Sequence, residues 1–186
     1  KANADIHSFA MDVDYFDYIK TWWRATRELG LNVRVVRSND DLSAYAMVIT
    51  PHQFTTAPAI VENFTNYVRN GGMLVGALRM GFFDVHGKPA RLTLPGGMTE
   101  LFGVEVEEYE RVMEPNPNSI RFIDEIGAST PCRDWNYILN DLGARALGVF
   151  ERDYYAGRTC ISLNDFGQGK AVYVGTILEQ SATQDL

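Results

Sequence analysis

AMVITPHQF (46–54) and AIVENFTNYVRNGGMLVGALRMG (59–81) read as strand, loop, helix, stop and strand. Ala46 to Thr50 is a short apolar run closed by Pro51, the pattern of a strand buried on both faces. Thr55 or Thr56 can cap a helix whose first turn holds Pro58. Ile60, Val61, Phe64, Tyr67 and Val68 recur at helical spacing, and Gly71-Gly72 ends the pattern. Met73 to Leu78 is the next apolar run. Two such runs joined by one helix make a right-handed crossover with parallel strands. Open α/β sheets gather ligands and catalytic groups at the carboxyl ends of these strands, so the turn Leu78-Arg79-Met80-Gly81 is the first place to look for chemistry.

Upstream, Asp12 or Asp14 can cap a helix running to about Leu29 and stopped by Gly30. Phe16, Ile19, Trp23 and Thr26 fall on one face, which Trp22 widens. The tryptophan pair reads as packing, with a sugar-stacking platform as the sharper alternative. Leu31 to Val36 alternates as a strand before a Ser-Asn-Asp-Asp turn. Residues 5–10 contain no long β-branched run, so the buried first strand of such a domain is expected to be missing or weak. The chain starts at Lys1 rather than Met and reads as a piece excised from a longer one.

Downstream the character changes. Residues 82–97 form a long excursion with little expected regular structure, and loops of that length are uncommon unless they do something. A helical turn follows over Met98 to Phe102, then a half-exposed strand over Val104 to Glu108 and a surface loop over 113–119. Ile120–Ile123, Trp135–Leu139, Ala144–Glu151, Arg158–Leu163 and Lys170–Thr176 are strand candidates, punctuated by glycine turns. The first half alternates strand and helix; the second is strand-rich, as hairpins extending one sheet would be.

Composition narrows the function. The 186 residues suit a single domain, and 46% hydrophobic with 22% charged residues is enough to bury a real core. A net charge of -7 argues against nucleic-acid binding. No apolar run approaches the ~20 residues that span a bilayer, and the start lacks the apolar segment of a secretory signal. Cys132 and Cys160 form neither a disulfide framework nor a zinc site by spacing, so a reducing, cytoplasmic setting is the default.

Each candidate chemistry fails on a named residue. The layout suggests a three-layer, class I glutamine amidotransferase-like (flavodoxin-like) open sheet, mostly parallel, with extra antiparallel strands in the C-terminal half. Such a fold places a nucleophilic cysteine on the turn after the strand at 73–78. Here that turn holds no Cys, Ser or Thr. His7, His52 and His86 show no metal-ligand spacing; His52 follows a strand end and could line a pocket there, although a structural hydrogen bond is the plainer role, and His86 lies in the excursion. Gly167-Gln168-Gly169-Lys170 is followed by a strand, not the helix of a phosphate loop, and reads as a hairpin turn. Glu105, Glu107 and Glu108 look like a solvated strand face and Asp124-Glu125 a loop, with no pair held for glycosidase chemistry. No catalytic residue, metal or cofactor is assigned.

Three blocks nevertheless carry a resemblance: YFDYIKTWWRATRELGLNVRVV (15–36), YVRNGGMLVGALRMGFFDVHGKP with LPGGMTELFGVEVEEYE (67–110), and DYYAGRTCISLNDFGQGKAVYVGT (153–176). They resemble the middle, trimerisation domain of glycoside hydrolase family 42 β-galactosidases, across nearly the whole chain. The resemblance implies a non-catalytic, bacterial, cytoplasmic oligomerisation domain that walls an inter-subunit cleft. The catalytic glutamates, on a barrel before residue 1, and a small β domain after residue 186 would lie elsewhere. It further implies a homotrimer and a terminal β-galactoside as the whole enzyme's substrate. The family's R-[ST]-G turn is here Arg79-Met80-Gly81 followed by Phe82-Phe83, so Arg79, Phe82, Phe83 and His86 are the residues expected to face a neighbour or the cleft. The alternative is a free-standing amidotransferase-like module, binding a small ligand or acting as a regulatory subunit without the catalytic cysteine.

Overall fold

The computed structural model describes residues 15–112, 117–123 and 129–186. His7, the Asp12 and Asp14 caps, the segment 5–10, Asp124-Glu125 and residues 113–116 of the surface loop lie outside the described residues.

Helix α1 (Tyr15–Glu28) leads into strand β1 (Met47–Thr50), helix α2 (Pro58–Arg69) and strand β2 (Met73–Ala77). The crossover is present, with β1 and β2 parallel from Met47↔Met73 to Thr50↔Gly76. Pro58 sits in the first turn of α2, where its missing N–H is harmless. Neither Thr55 nor Thr56 caps that helix; Ala57 does, without a side-chain hydrogen bond. The threonines are held in extended backbone instead, Thr55 bridging Phe83 and the Thr56 N–H donating to the Phe83 carbonyl at 3.2 Å. The helix ends in a Schellman closure: Gly72 N–H reaches Tyr67 O at 3.1 Å and Gly71 N–H reaches Val68 O at 2.9 Å, with Gly71 at φ 104°. Phe64 and Val68 are fully buried, each worth on the order of 2 kcal/mol of apolar burial.

Two sequence expectations change here. The buried residues of α1 are Tyr18, Trp22, Ala25 and Thr26, so Thr26 is buried as expected and the stripe is offset onto Tyr18 and Trp22, while Phe16 is 59% and Trp23 42% exposed. Both faces of this helix carry aromatics, and only the surface it meets selects one; the Tyr18 ring packs 4.3 Å from that of His52. Leu31–Val36 joins no ladder among the described residues, and Val35 is 82% exposed. Strand propensity is realised only when a partner edge is in place.

The remaining elements are α3 (Thr99–Phe102), β3 (Val104–Arg111), β4 (Ser119–Phe122), β5 (Thr130–Pro131), β6 (Arg133–Asp141), β7 (Arg145–Phe150), β8 (Thr159–Phe166), β9 (Gly169–Val174), β10 (Thr176–Ile177) and α4 (Gln180–Asp185). The ten strands among the described residues belong to one sheet, in the order β1-β2-β9-β8-β7-β4-β5, with β6 joining β8, β3 and β10 off that path. Among the described residues only β1–β2 and β2–β9 are parallel; the other ladders are antiparallel. The sheet is therefore mixed rather than mostly parallel. Short connections such as the Gly167 turn force antiparallel neighbours, and only long crossovers yield parallel ones.

A bulge in β3 sets the side-chain directions around the carboxyl end of β2. Its register against β6 shifts between Val106 and Glu108, leaving Glu107 as the extra residue. Strict alternation would put Glu108 on the face of Val104 and Val106. The bulge puts Tyr109 there instead, opposite Tyr137, while Glu110 pairs with Asn136 on the other face.

Candidate functional site

Arg79 occupies the turn after β2 with φ 62°, a left-handed conformation unusual for a residue with a Cβ. It is 5% exposed. Its guanidinium carbon lies 4.5 Å from the Trp135 ring centroid, 5.3 Å from that of Phe82 and 5.7 Å from that of Phe54. Tyr109 closes the group, 6.3 Å from Phe82, 6.1 Å from Trp135 and 5.4 Å from Tyr137 between ring centroids. The Tyr137 hydroxyl feels the Arg79 charge, which opposes the rise that burial imposes on its pKa, yet it meets no hydrogen-bond partner at normal geometry. The Arg79 Nε is also buried without a partner. Cation–π contacts contribute roughly 0.5–2 kcal/mol each, against several kcal/mol for burying an ion. The rings offset the burial of this charge without neutralising it.

The excursion after the turn is more ordered than its composition suggests. Phe83 stacks on Phe54 at 5.8 Å and meets Phe82 at 5.0 Å. Ala90 N–H returns to Phe82 O at 2.8 Å, making a small hairpin whose tip is Val85, His86 and Gly87. Asp84 staples it: Oδ1 accepts from the backbone N–H groups of His86 at 2.8 Å and Lys88 at 2.9 Å. The Lys88 N–H, first among several contacts, holds the Asp84 carboxyl below its ordinary value. A depressed carboxylate pKa means the staple is complete above about pH 4 and is lost as pH falls through the lowered value. Amide exchange at Lys88 is expected to accelerate below that point relative to Gly87, whose N–H bonds the backbone carbonyl of Asp84. A constant ratio would contradict this.

Backbone contact ties the end of the excursion to the turn. Gly96 N–H donates to Met80 O at 3.0 Å and Gly81 N–H to Gln53 O at 2.9 Å. Met80 is fully buried, so the apolar bulk offered outward is Phe82, Phe83 and Val85, not Met80.

The structure thus brings Arg79 and Phe82 together, with Phe83 beside them, and leaves His86 exposed at the hairpin tip. His52 sits apart, 3% exposed, with Nδ1 3.3 Å from Leu78 O and rings of Tyr15, Tyr18 and Phe54 around it. Sequence reasoning missed Phe54, Tyr109, Trp135 and Tyr137. The i, i+2 spacing of Trp135 and Tyr137 was a visible signal, but the bulge that aims Tyr109 was not.

Two cavities lie elsewhere. One of about 490 Å³ runs between α2 and the return of the excursion, lined by Val61, Glu62, Arg69 and Leu92 among others. The other, about 190 Å³, is walled by Glu110, Asn118, Asn136, Asp153 and Tyr155. Beside the second, Asn136 Nδ2 donates to the Tyr155 hydroxyl at 3.1 Å, Thr176 Oγ1 donates to Asn136 Oδ1 at 2.9 Å, and Tyr155 donates to Glu110.

No cluster of three or more His, Cys, Asp or Glu side chains fit to hold a metal occurs among the described residues. Burial pushes the Cys132 thiol up to about 12 and the Cys160 thiol well above its ordinary value. Neither is a nucleophile at neutral pH. Both should resist a disulfide-exchange reagent at pH ~8 in the folded chain and react fully in denaturant; fast native labelling of either would contradict the burial.

The family model of the β-galactosidase trimerisation domain matches residues 2–186. The chain belongs to that family. This trimerisation domain is 30% identical over 162 residues to β-galactosidase BgaB of Geobacillus sp. strain Y412MC61, covering 87% of the chain and 24% of the relative. It is 29% identical over 182 residues to β-galactosidase Bga of Halorubrum lacusprofundi, covering 93% and 26%. Among solved structures, it superposes on a GH42 β-galactosidase catalytic mutant from G. stearothermophilus with a TM-score of 0.84 at 26% identity, over 91% of the chain and 24% of that structure. On the haloarchaeal enzyme from Halorubrum lacusprofundi the TM-score is 0.87 at 25% identity, over 95% and 26%. The trimerisation domain therefore spans about a quarter of the length of the relatives it matches. A match over the whole domain does not favour a free-standing amidotransferase-like module. No helix among the described residues is long and apolar enough to cross a membrane.

Proposed function

We propose that this chain is the oligomerisation domain of a β-galactosidase that hydrolyses terminal β-D-galactosides, and that it is itself non-catalytic. The observation that carries this reading is the family match over residues 2–186. Catalysis in the whole enzyme would use a pair of carboxylates that retain anomeric configuration through a covalent intermediate, supplied by residues other than these 186.

The contact surface in this reading is the turn and hairpin over 79–90. Phe82, Phe83 and the tip residues Val85 and His86 project apolar and aromatic area beside Arg79, the residue types that dominate protein interfaces. The amidotransferase-like assignment of the fold belongs to the same reading. Its support is the left-handed backbone of Arg79 after β2, where that fold sets its nucleophile. Two free, buried thiols fit the cytoplasmic setting that goes with it. A nitrophenyl galactoside assay of this chain should give no turnover above buffer, while sedimentation velocity should show self-association as concentration rises. Measurable turnover, or a monomer at every concentration, would each overturn the part it tests.

A further inference from the structure

Arg79 is a buried cation with no carboxylate counter-ion among the described residues. The uncharged Tyr137 hydroxyl is the polar side-chain group its guanidinium approaches, and its Nε is sealed from water. Aromatic rings stand over it but bring no negative charge. The backbone there is held at φ 62°, and strain of this kind persists where the position serves a purpose. The surround is open on one side: Tyr109 is 46% exposed, and Phe82 and Trp135 are only half-buried. The chemistry that completes such a site is a carboxylate, which matches the planar fork of a guanidinium and is strengthened by the low-dielectric rings.

The occupant follows from the chain's own charge. It carries 24 Asp and Glu against 17 Lys and Arg, so a second copy presents carboxylates more often than cations. We propose that Arg79 receives a carboxylate from a second copy of this chain, with Phe82, Tyr109 and Trp135 as the aromatic collar that excludes water around the pair. This deepens the oligomerisation reading and rests on it. It also explains why apolar collar residues and a charge share one surface: a desolvated rim raises the worth of the ion pair inside it.

The test is sedimentation velocity of the chain across a concentration series, with Arg79→Met and Arg79→Lys beside it and circular dichroism to confirm folding. Arg79→Met is expected to weaken self-association by roughly thirtyfold or more, the effect of removing one partner of a buried ion pair. Arg79→Lys, which keeps charge but loses the fork, should fall between. Sodium acetate replacing sodium chloride at equal ionic strength should dissociate the unmodified chain by competing for Arg79 and leave Arg79→Met unaffected. If Arg79→Met does not fold, the acetate competition on the unmodified chain decides alone. A folded Arg79→Met that associates as tightly as the unmodified chain, or acetate with no effect beyond chloride, overturns this inference and leaves the oligomerisation reading standing. A chain that stays monomeric overturns both.

Discussion

Gly169→Ala is expected to lower the stability of this domain by about 3 kcal/mol or more, or roughly 6–12 °C in Tm, through backbone overpacking. The turn Gly167-Gln168-Gly169 lies directly on the end of α2. Gln168 N–H donates to Arg69 O at 3.0 Å and Lys170 N–H to Gly72 O at 3.1 Å. A Cβ at Gly169 would sit 2.2 Å from Gly72 O and 2.3 Å from Val68 O. Both are backbone atoms of a capped helix end and cannot swing away as a side-chain tip can. The substitution must separate β9 from α2 or break the Schellman closure. Gly157→Ala is the control, because φ is 84° there and nothing lies within 4 Å of the added carbon. It should cost only the left-handed penalty of roughly 1 kcal/mol. Urea or thermal denaturation of both variants decides: equal losses would mean that backbone contact is not what the glycine at 169 provides.

Asn136→Ala is the second large effect, expected at about 2–3 kcal/mol from a buried network left incomplete. Asn136 is 1% exposed and sits where β6 pairs with both β3 and β10. Its side chain joins the Thr176 hydroxyl to the Tyr155 hydroxyl, at 2.9 Å and 3.1 Å. Truncation strands the fully buried Thr176 hydroxyl and removes a donor from Tyr155. Thr176→Val should be milder alone, and in the double variant the losses should fall short of their sum by about 1 kcal/mol, since one interaction is removed twice. Strict additivity would mean that the two side chains act independently.

These two predictions divide along what could be read before folding. The glycine turn at 167–169 was visible as a hairpin turn and as a false phosphate loop, because a strand pattern follows it. Its second role, allowing a helix end to touch a strand start, involves Arg69 and Gly72 nearly a hundred residues away, which local pattern cannot report. The candidate site divides the same way. The turn at Arg79 stood out because a crossover strand ends there, and the resemblance to the family's turn added Phe82 and Phe83. Trp135 and Tyr109 did not, since their approach depends on the β3–β6 register and on the bulge at Glu107. The exposure of Phe16 and Trp23 on α1 and the absence of a strand over Leu31–Val36 have a related reason: helical and strand periodicity mark which residues could be buried, and the neighbour decides which are.

By itself the sequence determined the local elements: the 46–81 crossover, the Gly71-Gly72 stop, the strand-rich second half and a turn at Leu78-Arg79-Met80-Gly81 with no nucleophile. Each follows from side-chain spacing, backbone freedom or a missing functional group within a few residues. Only the tertiary structure decided that the sheet is mixed, that the excursion is a stapled hairpin, and that Arg79 is a buried cation ringed by Phe54, Phe82 and Trp135. Strand direction, desolvation of a charge and the meeting of rings depend on which distant segments share space. That is set by the closing of long loops and the burial of the whole core, not by any one stretch.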